Sequence, residues 1–382
     1  MQTTPTELIV GVNVPAVPGM SLDEVSTPAL IVELDPLEEN IRQMRRFIQQ
    51  RNIRHRAHAK THKSADIARL QMTMGGACGV CCQKVSEAHA LINQGIDNVL
   101  ISNQVVAPEK IDLLAKLSKR ARVQVCVDDP SNVAALSGAA LREQSVIECL
   151  VEINNGAGRC GVEPGPAAVS LARLITEAPG LKFSGIQAYD GSAQHITNFE
   201  GRRERVAAAI SMAKLTVDLL NEAGFDCEII GGAGTGSYPF ESNSGLYNEL
   251  QCGSYIFMDA DYQRVHDSTG QPLGEFRNSL FIWTSIMSVA VPGIAVCDAG
   301  LKAHSVDSGL PVVFGRSDVE FLKCSDEHGV IRDPDGVLKL NEKLKLVPGH
   351  CDPTCNLYDW YVGIRGNQVE CLWPVTARGM LF

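Results

Sequence analysis

Between Arg54 and about Asp259 the chain alternates short runs of apolar, β-branched residues with longer stretches whose apolar positions recur three and four residues apart. The short runs have strand length and the longer ones have helix period, so the segment reads as a parallel sheet wrapped by helices. Strands are predicted at 53–60, 78–83, 98–103, 123–128, 146–153, 183–189, 227–231 and 249–257, and helices at 86–93, 107–118, 130–143, 166–177 and 199–223. Pro130 and Pro166 stand where a first helical turn tolerates proline, and Gly95 and Gly224 follow helices as C-caps. Eight strand–helix units in roughly 200 residues predict an α/β fold built on a (β/α)8 TIM barrel, with an open doubly wound sheet as the alternative.

After the turn-rich stretch 267–272 the pattern changes. The runs at 281–288, 294–298, 344–347, 360–364 and 368–373 are short, strand-like and joined by Gly, Pro and Asp turns, which predicts a smaller C-terminal β-rich domain. Residues 27–34 resemble one further strand, expected to join that sheet, followed by a helix from Asp35 to about Gln49. The expected division is therefore 37–270 for the barrel, and 1–36 with 271–382 for the β-rich domain.

At 382 residues the chain exceeds the roughly 250–300 at which single cores stop growing, which agrees with two domains. Its 34 basic and 44 acidic residues give a net charge of −10, poor electrostatics for a phosphate backbone or an anionic bilayer; nucleic acid and membrane are not expected partners. Thirteen cysteines are an odd count and too few for a disulfide scaffold, so a reducing, cytoplasmic location is expected. The first seven residues carry no basic stretch, Leu8-Ile9-Val10 is too short for a signal peptide, and no apolar run approaches membrane-spanning length.

In such a barrel the chemistry sits at the C-terminal ends of the strands. The first strand reads Arg54-His55-Arg56-Ala57-His58-Ala59-Lys60, and alternation sets Arg56, His58 and Lys60 on one face. A lysine at a strand mouth can lose its proton by desolvation and form a Schiff base with an aldehyde; an exposed basic edge is the plain alternative. Lys63 is less suited, because Ser64 reads as a helix N-cap and leaves Lys63 in the turn.

The seventh strand ends in Gly231-Gly232-Ala233-Gly234-Thr235-Gly236-Ser237, a loop able to offer backbone N–H groups to an anion, and Cys252-Gly253-Ser254-Tyr255 supplies a second donor pair. Gln83, Asn154, Gly158, Arg159, Gln187, Tyr189 and His195 stand at other strand ends, outlining a pocket for a phosphorylated aldehyde. In Pro348-Gly349-His350-Cys351-Asp352, an extended backbone would point His350 and Asp352 to one side, as a labile cation site or as a turn-stabilising pair. Cys78, Cys81 and Cys82 have CxxC spacing but lie in an apolar strand pattern, and read as buried thiols.

The strings at 56–63, 232–236 and 348–352 resemble the fold-type III pyridoxal-phosphate enzymes of the D-threonine aldolase and D-serine dehydratase group, and the similarity extends over nearly the whole chain. The stretches 79–88, 247–255, 325–329 and 346–356 are similar to the 3-hydroxyaspartate aldolase branch. The resemblance implies an alanine-racemase-like barrel plus β domain, assembled as a homodimer and binding pyridoxal 5'-phosphate. It implies that Lys60 bonds to the cofactor, that Thr235, Gly236, Gly253 and Ser254 hold its phosphate with Tyr255 beside them, and that Gln83, Arg159 and Tyr189 lie near its ring. His195 is implied as catalytic, and His350 and Asp352 as ligands of a divalent ion.

The dehydratase branch resembles a His-x-Cys zinc pair where this sequence has Asp352, and a hard carboxylate favours Mg2+ or Mn2+. The implied reaction is cleavage, or formation, of 3-hydroxyaspartate from glycine and glyoxylate, extending to D-threonine. His195, Arg159 and Arg264 are the candidates for the substrate's distal carboxylate. Dehydration of D-3-hydroxyaspartate or D-serine is the alternative; a non-catalytic cofactor carrier and a sugar-phosphate barrel enzyme are more remote ones.

Overall fold

The computed structural model describes residues 7–382. The predicted barrel strands form at Arg54–His55 with Ala57–His58, then Val80–Cys82, Asn98–Gln104, Arg122–Val127, Ile147–Glu152, Leu181–Gln187, Ile229–Gly232 and Glu249–Leu250. Each pairs in parallel with the next, and the first strand closes the ring: Arg54 and His55 are in register with Glu249 and Leu250, while Ala57 and His58 face Val80 and Cys81. Cys81, Leu100, Cys126, Leu150 and Ile229 fill the interior, and the outer face packs against helix residues such as Leu91, Leu114, Leu136, Leu171 and Leu220. Burying one such leucine stabilises the fold by about 1.5–3 kcal/mol.

Helices at Pro130–Glu143 and Pro166–Glu177 begin and end as the pattern predicts, since proline marks each first turn. Several strands are shorter than expected, and two of them, the first and the eighth, shape the mouth. The first ends at His58, whose N–H still reaches Cys252 O at 3.2 Å; beyond it the Lys63 N–H turns back to Ala59 O at 2.7 Å, so Lys60 lies in a 3-10 turn over Ala59–Thr61. The eighth ends at Leu250, and Ser254–Ile256 is again a 3-10 turn. Arg56, on the same inward face as His58, lies at the N-terminal end of the barrel and pairs with Glu249.

The second sheet runs Glu320–Cys324, Gly329–Arg332, Ile294–Cys297, Leu280–Val291, Ala29–Glu33, Trp360–Arg365 and Gln368–Pro374, with Lys343–Val347 also on Leu280–Val291 and Val312–Val313 beyond it. Ala29–Glu33 lies inside this sheet, antiparallel to Leu280–Val291 and parallel to Trp360–Arg365. Backbone bonds from Ala260 N to Pro348 O (3.0 Å) and Asp261 N to Gly349 O (3.2 Å) bring the segment after Lys343–Val347 over the barrel mouth, and Tyr361 Oη donates to His62 O at 2.7 Å beside it. Among the described residues no helix is long and apolar enough to cross a membrane.

Candidate active site

The C-terminal mouth of the barrel opens into a cavity of about 550 Å3. Its walls bring together Lys60, Gln83, Arg159, Tyr189, Thr235, Gly253 and Ser254 from six different strand ends, and add His58, Thr61, Ser102, Gln187, Gln251 and Tyr262. Gly236, Tyr255, His195 and the pair His350 and Asp352 lie outside these walls. The Gly236 N–H is committed to Gln194 Oε1 at 3.0 Å; the Tyr255 side chain turns into the core, where its hydroxyl accepts from Gln71; His195 stands on the exposed rim. What Tyr255 contributes to the glycine segments is its backbone N–H, given to Thr235 Oγ1 at 3.0 Å.

Lys60 Nζ donates to Asp352 Oδ2 at 2.5 Å. The lysine side chain is 39% exposed, but that surface faces the cavity rather than bulk water. The Asp352 carboxylate holds the ammonium above the ordinary lysine value against the opposing effect of burial. Burial alone would raise the Asp352 carboxyl; the charges of Lys60 and then His350 outweigh it and keep the group well below the carboxylate range. His58 is held neutral by burial and by the nearby Lys60 charge, and its Nε2 stands 3.0 Å from Gln83 Nε2 and 3.2 Å from Ser102 Oγ. Burial also raises the Tyr189 phenol. Arg159 lies 3.8 Å from Glu152, with its guanidinium 5.8 Å from the Tyr189 ring centre.

The donor set fits a phosphorylated aldehyde. His58 Nδ1 and Thr61 Oγ1 are buried with no partner. Any side chain at Gly253 would strike Thr61 Oγ1 at 2.6 Å and the His58 backbone O at 2.9 Å, so this position requires glycine, and one at Gly234 would displace the Gln194 amide, 2.4 Å away. Behind them Gln194, Ser237 and Glu241 form a buried network: Gln194 Nε2 donates to Ser237 Oγ at 2.8 Å, and Ser237 Oγ to Glu241 Oε1 at 2.7 Å. Lys63 lies in the turn before Ser64, as expected, but is buried there; it pairs with Glu87 at 3.0 Å and bonds Asn356 at 3.0 Å, tying the lysine segment to both neighbouring elements.

His350 and Asp352 do not lie on an extended segment. Cys351–Cys355 is a short helix with His350 as its N-cap, because Thr354 Oγ1 and the Asp259 carboxylate close that turn around His350 O and Cys351 N. His350 Nδ1 and Asp307 Oδ2 are 2.7 Å apart; with the proton on Nδ1, the Nε2 lone pair is available to a cation, and the carboxylate fixes the ring. Burial lowers the imidazole's proton affinity, and the Asp352 charge with the Asp307 bond raises it by more. The described residues contain no group of three metal-ligating side chains. One imidazole and one carboxylate suit a hard ion that keeps several waters, not a closed zinc site. Cys81 and Cys82 are buried free thiols and Cys78 is partly buried.

Sequence reasoning missed Thr61, Ser102, Gln194, Tyr262 and Asp307. Thr61 stood beside the lysine in a string already singled out, and was within reach; the others carry no local signal.

Residues 32–261 match the family model for the alanine racemase N-terminal domain, and residues 279–364 match that of a putative serine dehydratase domain. The chain is 57% identical to the 3-hydroxy-D-aspartate aldolase of Paracoccus denitrificans strain Pd 1222, over 97% of this chain and 96% of that one. It is 42% identical to a D-threonine aldolase from Arthrobacter sp. over 98% of both. Its fold superposes on the crystal structure of D-threonine aldolase from Filomicrobium marinum with a TM-score of 0.94 at 47% identity, covering 97% of this chain and 100% of that one. The chain thus belongs to the fold-type III pyridoxal-phosphate family, built on the alanine-racemase fold, that includes the 3-hydroxy-D-aspartate and D-threonine aldolases.

Proposed function

We propose that the protein is a lyase that cleaves 3-hydroxy-D-aspartate to glycine and glyoxylate, and accepts D-threonine, using pyridoxal 5'-phosphate and a divalent cation. The observation that carries this reading is the Lys60 amine, which lines a cavity walled by two glycine segments and is held from behind by the Asp352 carboxylate at 2.5 Å. The 57% identity to an aldolase of that substrate supports the choice of reaction.

When bound, pyridoxal phosphate supplies an electron sink for the pair left on Cα as Cα–Cβ breaks. Lys60 is the amine that would hold its aldehyde; Gly234, Thr235, Gly253 and Ser254 would take its phosphate, and Gln83, Arg159 and Tyr189 would border its ring. His350 and Asp352 would hold Mg2+ or Mn2+, an ion that acidifies a bound hydroxyl. Asp352 pairs with Lys60 and is close enough to His350 for their charges to act on each other, so an ion held there would receive the substrate hydroxyl on the Lys60 side. Neutral His58 orients the Gln83 amide, and Asp307 orients His350. The division at 36/37 and 270/271, a homodimeric assembly and a cytoplasmic location belong to the same reading; light scattering tests the second.

The deciding experiment incubates purified protein, cofactor and Mg2+ with 3-hydroxy-D-aspartate, D-threonine and D-serine. Glyoxylate plus glycine from the first, and glycine from the second, are expected, and a chelator should stop both while leaving the cofactor's absorbance. Ammonia with a keto acid would mean dehydration instead.

A further inference from the structure

3-Hydroxyaspartate carries a carboxylate where threonine carries a methyl group, on the same carbon as the hydroxyl. A hydroxyl directed at His350 and Asp352 therefore brings that carboxylate to the same side of the mouth. Three basic side chains stand near. Arg159 follows the fifth strand, across the barrel from Lys60, and is occupied with Glu152 and the Tyr189 ring. Arg264 follows the eighth strand, the neighbour of the first.

Arg264 Nη2 donates to Asp261 Oδ1 and to Ser308 O, both at 2.6 Å, leaving Nε and Nη1 without an acceptor among the described residues. The other oxygen of Asp261 is 2.5 Å from His195 Nδ1, whose Nε2 has no protein partner there. The His195 ring centre lies 6.4 Å from that of Tyr262, which lines the cavity. Asp307, adjacent to Ser308, holds His350, and the Asp261 N–H reaches Gly349 O. One carboxylate thus sets two basic groups side by side on the rim, and the loop that accepts Arg264 also accepts His350.

We propose that Arg264, with His195 beside it, binds the distal carboxylate of a dicarboxylic β-hydroxy amino acid and so selects 3-hydroxyaspartate over D-threonine. This assignment rests on the aldolase reading. The planar guanidinium keeps free N–H groups suited to a carboxylate, and Asp261 holds it in place before the substrate arrives, which lowers the ordering cost of binding.

Arg264→Gln and Arg264→Lys, assayed on both amino acids side by side, test it. In Arg264→Gln the kcat/KM for 3-hydroxy-D-aspartate should fall on the order of 100-fold, and for D-threonine by less than about threefold, with partial recovery in Arg264→Lys. His195→Gln, on the exposed rim, should give a smaller loss of the same selectivity. A measurement without turnover accompanies these: calorimetric titration of the cofactor-loaded protein with D-malate, which keeps the hydroxyl and both carboxylates. Its affinity should drop on the order of 10-fold in Arg264→Gln. Equal losses on the two amino acids, or D-malate affinity unchanged by the substitution, would overturn the assignment. A wild-type protein that makes no glyoxylate would sink the aldolase reading separately, and the D-malate titration would still decide whether the rim receives a dicarboxylate.

Discussion

The first barrel strand carries a basic residue towards each end, and each has found a carboxylate: Arg56 with Glu249 at the floor, Lys60 with Asp352 at the mouth. At the floor both side chains are 1% exposed, and the guanidinium is fully engaged, Nε with Glu249 Oε1 at 2.8 Å, Nη2 with Oε2 at 3.3 Å and Nη1 with Asn98 Oδ1 at 2.7 Å. At the mouth Lys60 has a single partner and an open flank, with orphaned Thr61 Oγ1 and His58 Nδ1 nearby. A completed buried network fixes geometry, and removing one member leaves a charge stranded; an incomplete one keeps donors for a ligand. The same strand therefore serves structure at one end and chemistry at the other.

Exchanging the damage should separate the two ends. Lys60→Ala is expected to lower turnover on the order of 10,000-fold or more, with a smaller loss of thermal stability than at the floor, because Asp352 keeps the His350 charge beside it. Reductive trapping of the cofactor should then label no peptide, whereas the wild type should be labelled at Lys60. Glu249→Ala should do the reverse, costing about 3–5 kcal/mol in urea unfolding by stranding Arg56, while any protein that remains folded still forms the labelled Lys60 peptide. Wild-type stability in Glu249→Ala would erase the distinction between floor and mouth.

Periodicity reveals what repeats and little else. The eight strands and the helices at 130–143 and 166–177 could be read because apolar period and proline punctuation are local signals. Alternation groups Arg56, His58 and Lys60, and His58 and Lys60 do share the cavity wall, but the ladder stops at His58 and the rule says nothing of depth, so it does not put Arg56 at the floor. The same rule does not describe His350 and Asp352, since a helix turn begins between them; their charges still act on each other, but not through a shared extended backbone. Tyr255 sat in a donor-rich string, yet only its backbone serves the glycine segments, a distinction side-chain type cannot express. The pairs Lys60–Asp352 and His350–Asp307 join residues 292 and 43 positions apart, and no local pattern marks such contacts.

The cradle side of the mouth offers a finer test, because it too contains a stranded group. Glu241 is buried, its Oε1 accepts from Ser237 Oγ at 2.7 Å, and its Oε2 has no partner. Burial pushes its carboxyl up to about 7. A group that holds its proton more tightly folded than unfolded contributes stability that is complete below the unfolded value near 4.5 and drains away as pH rises through 7. The span corresponds to roughly 3 kcal/mol by pH 8. Glu241→Gln keeps the acceptor for Ser237 and removes the charge, so it should flatten this part of the urea-stability profile and stabilise the protein at alkaline pH. An unchanged slope between pH 5 and 8 would mean that Glu241 is solvated or paired, and that the cradle is as complete as the floor.

The smallest effect concerns the far wall, where Asp307 plays for His350 the part that Asn98 plays for Arg56: a polar partner that orients a basic group without being its main counter-charge. The two differ in what lies beyond, because the Arg56 network passes through Glu249 to protein partners, Arg54 at 3.5 Å and the Cys78 thiol, while the outer ring nitrogen of His350 is available to an ion. Asp307→Asn cannot balance the Nδ1–H as a carboxylate does, so the ring is freer to rotate and is less basic at Nε2. Mn2+ affinity, read by titration of the cofactor-loaded protein, should weaken on the order of 10-fold. Turnover should return when the ion is supplied in excess, because Lys60, the glycine segments and Arg264 remain as they were. Loss that excess Mn2+ does not restore would instead make Asp307 a structural brace for the loop that also accepts Arg264, joining that wall of the mouth to the fixed geometry of the floor.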